Sequence, residues 1–130
     1  MSQPQWLLPK IIYAIHDEQL SIHGGGDGIR DISLVESALS RPQNLWVYGE
    51  RASIPRLAAA YCYGLVKNRG FADGNKRMGA VACELFLNLN SYRLIADDAE
   101  LVETILAVAD GSLSEEELVA WVEKYSEPAG

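Results

Sequence analysis

Apolar residues recur along this chain at helical spacing, in blocks parted by short polar or glycine-bearing breaks. Pro9 suits a first helical turn, and Ile11, Ile12, Ile15 and Ile22 carry an apolar stripe to about residue 22. Gly24-Gly25-Gly26-Asp27-Gly28 cannot continue that helix, because glycine loses too much backbone entropy there, and it reads as a flexible turn. Asp31 can cap a second helix, Ile32 to Ser40, with Leu34, Val35 and Ala38 inward; Pro42 predicts its end. Residues 41–51 are then the longest irregular piece, where Leu45 to Tyr48 alternate too briefly for more than a short strand. Its aromatic residues suit either partner docking or a lid folded over the core. Ser53 and Pro55 open a third helix that runs to Asn68 and, rich in alanine and aromatic residues, should be central. A fourth, Asn75 to Asn90, places Ala82, Leu85, Phe86 and Leu89 on one face. Tyr92 to Ile95 reads as a short extended segment, and Asp97 or Asp98 caps a fifth helix, Leu101 to Ala109, which Gly111 ends. Ser114 with Glu117 forms a capping box for a sixth helix through Tyr125, with Leu118, Val119, Trp121 and Val122 inward. Residues 126–130 are expected to be a frayed tail. The pattern predicts one all-α bundle over residues 1–125, without repeats or linkers.

Composition narrows the chemistry. The chain has 130 residues, 48% of them hydrophobic. A chain of that size buries roughly two-thirds of its unfolded surface, enough for a core without disulfides. The two cysteines, Cys62 and Cys83, fall in helices beside apolar residues and read as buried free thiols. A net charge of −7 argues against a general nucleic-acid binder. No apolar run is long enough for a leader or a membrane span, so a cytoplasmic place and no membrane partner are expected.

The acids gather late, at Asp97, Asp98, Glu100, Glu103 and Glu115 to Glu117, away from one cationic pair, Lys76-Arg77. That pair closes the stretch Phe71-Ala72-Asp73-Gly74-Asn75-Lys76-Arg77, where a loop becomes the fourth helix. Asn75 is a favoured N-cap residue. A helix start exposes unpaired N–H groups and the positive end of the macrodipole. Cations in that first turn oppose the dipole's preference, which points to an anion held between them. As bare spacing the segment fits a phosphate cradle, and it fits a solvated turn as well. Phe71 reads as the loop's anchor in the core, and Arg30 as a structural clamp.

Phe-x-Asp-Gly-Asn-Lys-Arg resembles the core of the Fic/Doc signature, HxFxDGNKR, and its Lys-Arg ending resembles that of the death-on-curing (Doc) toxins. Gly24-Gly25 through Gly28-Ile29-Arg30-Asp31, Glu36-Ser37-Ala38-Leu39 and Arg41-Pro42-Gln43 are similar to that family's opening segment. The resemblance extends from about Ile15 to Trp121 and implies a compact bundle of about six helices, with a flap near residues 41–52 beside the active site. It further implies ATP (or another nucleoside triphosphate) and magnesium as cofactors. Asp73 would be the metal ligand, with Gly74 and Asn75 in the phosphate loop and Lys76 and Arg77 on the phosphates. The implied reaction is phosphate transfer to a protein hydroxyl, with elongation factor Tu as substrate and an antitoxin as partner. AMP-transferring relatives often carry Gly where this chain has Lys76.

One position departs from the signature. The family's His, two residues before the Phe, is here Arg69. In the family that His is taken to accept the proton of the target hydroxyl. Arginine has five donors, no acceptor and a pKa above about 12, so it cannot. Neither His16 nor His23 is expected to substitute for it. The chain therefore reads as a disabled toxin of this type; the competing reading is a non-catalytic module that binds a nucleotide or an antitoxin.

Overall fold

A computed structural model of the chain describes residues 3–25, 28–49 and 52–129. Gly26 and Asp27 of the glycine-rich turn, Glu50 and Arg51 of the expected flap, and Gly130 of the tail lie outside these. Six helices are present, α1 Pro9–His23, α2 Ile32–Tyr48, α3 Ile54–Asn68, α4 Asn75–Leu89, α5 Asp98–Asp110 and α6 Glu115–Lys124. Two short strands, β1 Tyr92–Leu94 and β2 Ser126–Pro128, complete the described fold. The all-α expectation holds.

The local signals act where they stand. Asp31 accepts from Ser33 N, Ser53 from Arg56 N and Asp97 from Glu100 N, each opening its helix. Ser114 and Glu117 exchange both bonds of the capping box. Helix α3 is the axis of the bundle: Leu57, Ala58, Ala59, Tyr61 and Leu65 are buried, and α2, α4, α5 and α6 all pack on it. Its many small side chains let those neighbours approach closely. A Cβ on Gly64 would stand 3.2 Å from Ala38 Cα of α2.

Two expectations fail, both through tertiary contacts. Helix α2 does not stop at Pro42 but runs on to Tyr48, with Pro42 buried inside it, so most of residues 41–52 is helix rather than flap. An interior proline costs about 3 kcal/mol and removes one backbone bond. Burial of Pro42, packing of Leu45 and Trp46 on the core, and a bidentate ion pair from Arg41 to Glu115 of α6 offset that cost. The tail is also ordered through Pro128. Residues 126–128 pair antiparallel with β1 in the register Tyr92↔Pro128, Arg93↔Glu127, Leu94↔Ser126, and Arg93 bonds Glu127 across the pair. The strand pattern is too short to read locally; its partner lies more than thirty residues away.

Cys62 and Cys83 are free and buried. Burial pushes the Cys62 thiol well above its ordinary range and the Cys83 thiol to about 12. Thiolate is the reactive form, so at pH 8 neither sulfur should react with an aromatic disulfide reagent until the protein is denatured, when both should. Rapid labelling of either in the native protein would contradict the packing. Among the described residues no helix is long and apolar enough to cross a membrane.

Candidate active site

The site is assembled at the C-terminal end of α3. Arg69 ends that helix in the left-handed region, φ 52° and ψ 46°. Arg30 holds this corner, its Nε and Nη2 donating to the Arg69 carbonyl at 2.9 and 2.7 Å. Asn68 Nδ2 donates to Leu34 O at 3.0 Å and ties the same corner to α2. Arg30 is thus a clamp, as the sequence suggested.

From there the chain runs beside the segment that follows the glycine-rich turn. Asp31 N donates to Gly70 O at 2.9 Å, Ala72 N to Gly28 O at 3.2 Å, and Ile29 bridges Phe71. The stretch lying against the motif is therefore 28–31. Gly49, Ala52 and Ser53 stand at the other end of α3, about 22 Å away for a fifteen-residue helix. This corrects the flap expected near 41–52.

Phe71 is fully buried, as an anchor should be. The His16 ring stacks on it at 3.9 Å with 19° between planes, and Tyr13 meets it edge-on. Asn75 is not the N-cap. Gly74 caps α4 with φ 84°, a conformation open to glycine, and Asn75 takes the first helical position. Its amide instead closes the loop: Oδ1 accepts from Phe71 N at 3.0 Å and Nδ2 donates to Phe71 O at 3.1 Å.

Asp73 Oδ1 accepts from Gly74 N at 2.7 Å. Its other oxygen faces the glycine-rich turn, where a Cβ on Gly25 would come within 2.5 Å of Oδ2. Among the described residues no side chain caps α4, and none accepts from its remaining first-turn N–H groups.

A cavity of about 490 Å³ opens over this loop. Asp73, Gly74, Asn75, Lys76 and Arg77 line it together with Arg30, Arg69 and the apolar floor of Val66 and Phe71. Every site residue named from sequence is on this one cavity, and among the described residues four cations and one acid line it, in a chain of net charge −7. Among the described residues, no carboxylate lies within 4.0 Å of the charged ends of Arg69, Lys76 or Arg77; the ion pairs found are elsewhere. Concentrated, unpaired positive charge at a helix start attracts anions.

Sequence reasoning named His16 but gave it no place at the cradle. It reaches the loop on its buried side, its Nε2 2.8 Å from Asp73 O. The available signal was position: His16 is one helical turn after Ile12, on the face of α1 that is buried. His23 is exposed at the far end of α1.

This arrangement agrees with what comparison finds. A model of the Fic/DOC family matches residues 6–87, and the chain belongs to that family. It is similar to the protein kinase Doc of Escherichia phage P1, 29% identical over 106 residues that cover 82% of this chain and 83% of the relative. It is also similar to the toxin Doc of Mycolicibacterium smegmatis, 40% identical over 87 residues covering 64% of this chain and 65% of that toxin.

Proposed function

We propose that this chain is a Doc-type toxin of a toxin–antitoxin pair, acting in the cytoplasm. Its fold is built to transfer phosphate from a nucleoside triphosphate to a hydroxyl of elongation factor Tu, and Arg69 impairs that transfer. The observation that carries the reading is the convergence of Asp73, Lys76, Arg77 and residue 69 on one cavity.

In such a transfer the target oxygen attacks the terminal phosphorus, the bond to the bridging oxygen breaks, and a nucleoside diphosphate leaves. Lys76, Arg77 and the first-turn amides bind the phosphates and offset the charge that develops on them. Among the described residues Asp73 is the single carboxylate on the cavity, and no three potential ligands cluster. That donor set fits magnesium, which typically takes one or two carboxylates and completes its shell with phosphate oxygens and water. Bound there, the ion would neutralise phosphate charge. The hydroxyl's proton must go to an acceptor at position 69, and a guanidinium offers none.

A second reading has its own support. Arg69 is exposed on the cavity and unpaired among the described residues, free to make a charge-assisted bond to a phosphate. The chain would then hold a nucleotide, or an antitoxin, without catalysis. Intact-mass measurement of elongation factor Tu separates the possibilities, after incubation with ATP, magnesium and the Arg69→His variant. An added phosphate supports the toxin reading, and an added AMP moves the chemistry to that of AMP-transferring relatives. An unchanged target with nucleotide still bound leaves the binding module.

A further inference from the structure

We infer that His16 is a positioning residue for the cavity, fixing the Asp73–Gly74 peptide so that the Gly74 N–H is presented at the loop's outer side. The inference rests on the reading of this cavity as a phosphate site. His16 is 2% exposed and stacked flat on Phe71, so its ring plane is held by packing. A buried polar ring is costly unless it is bonded. Its Nε2 lies 2.8 Å from the backbone oxygen of Asp73, 57 residues away in the chain. A carbonyl oxygen can only accept, so Nε2 carries the hydrogen.

The consequence follows from peptide geometry. No described peptide bond is cis. In a trans peptide the C=O and the next N–H lie in one plane and point in opposite directions. With the Asp73 oxygen tied to the buried side by His16, the Gly74 N–H is turned away from it, where it meets Asp73 Oδ1 at 2.7 Å. One rigid unit thus joins a buried donor on α1 to the amide and carboxylate at the mouth of the phosphate loop. A role in filling space alone would need no nitrogen at this point.

Two variants separate the roles. His16→Phe keeps the ring on Phe71 and removes the donor; His16→Gln keeps a donor near the Nε2 position. The probe is ADP with magnesium, titrated by calorimetry into the full chain, with hydrogen exchange at the Gly74 amide and the melting temperature measured in parallel. The Phe variant is expected to bind ADP about tenfold more weakly, the scale of one hydrogen bond, while Gln stays within about threefold of the parent. Gly74 protection should fall in Phe and return in Gln. Affinity that follows melting temperature across the variants, rather than the presence of a donor, overturns the positioning role; so does a Phe variant with parental affinity and Gly74 protection. If the Phe variant does not fold, His16→Leu takes its place. If the parent chain binds no ADP, the phosphate reading fails by itself, and Gly74 exchange still decides the part played by His16.

Discussion

Arg69→His is expected to turn a chain that bacteria tolerate into one that halts their growth. Target modification should rise by about a hundred- to ten-thousand-fold, the usual contribution of a general base. The backbone is ready for the exchange. Residue 69 is held in the left-handed region, which histidine visits several-fold more often than most side chains do. Arg30 grips the carbonyl of residue 69, so the clamp is indifferent to the side chain. The Arg69 side chain is exposed and forms no ion pair among the described residues. Stability should therefore change by no more than about 0.5 kcal/mol, as for other surface exchanges. Growth curves of cells making either form without antitoxin, beside rates of target modification, provide the check. If the Arg69 chain already modifies its target at the rate of the His variant, the account of the missing base is wrong. If neither form is toxic or modifies the target, the binding-module reading gains.

Phe71→Ala is expected to be the most damaging single change in the site, and through stability. Phe71 is 1% exposed and carries the stacked His16 ring on one side and the edge of Tyr13 on another. Truncating a buried Phe typically costs about 3–5 kcal/mol, from lost transfer energy and the cavity left behind. Against total stabilities of about 5–15 kcal/mol, that is a large fraction. For a chain of this size it corresponds to a melting temperature lower by about 10–20 °C. Phe71→Leu should lose far less, because most of the volume remains. Urea unfolding of the three proteins tests this. An Ala variant within about 1 kcal/mol of the parent would show that the loop is not anchored through this ring. Because Asn75 ties both backbone groups of Phe71 to the start of α4, the variant should also lose ADP affinity before it unfolds globally.

Much of the fold was legible because its signals are local. Caps at Asp31, Ser53, Asp97 and Ser114 act over two or three residues, and the apolar stripes of α3 and α4 have the helical period. The motif residues could be grouped for the same reason: Phe71 to Arg77 are contiguous, so a loop running into a helix brings them to one place whatever surrounds it. What was misread depends on distant partners. Pro42 is a strong local stop signal, and it yields to packing on α3 and to the ion pair of its neighbour Arg41 with Glu115, 74 residues from that arginine. Asn75 has the composition of a cap, yet Gly74 takes that position because only it adopts φ 84° without strain, freeing the amide to bind Phe71.

The sequence by itself therefore determined the six helices, the cationic helix start and the absence of a proton acceptor at position 69. Each of these is a property of residue type or of spacing within a few turns. Only the tertiary structure decided that residues 28–31 lie along the motif, that His16 holds the Asp73 carbonyl, and that residues 126–128 close on β1. Those contacts join residues 32 to 57 positions apart. No local pattern encodes such pairings; they form because burying the faces of α3 leaves the chain few other ways to satisfy its backbone.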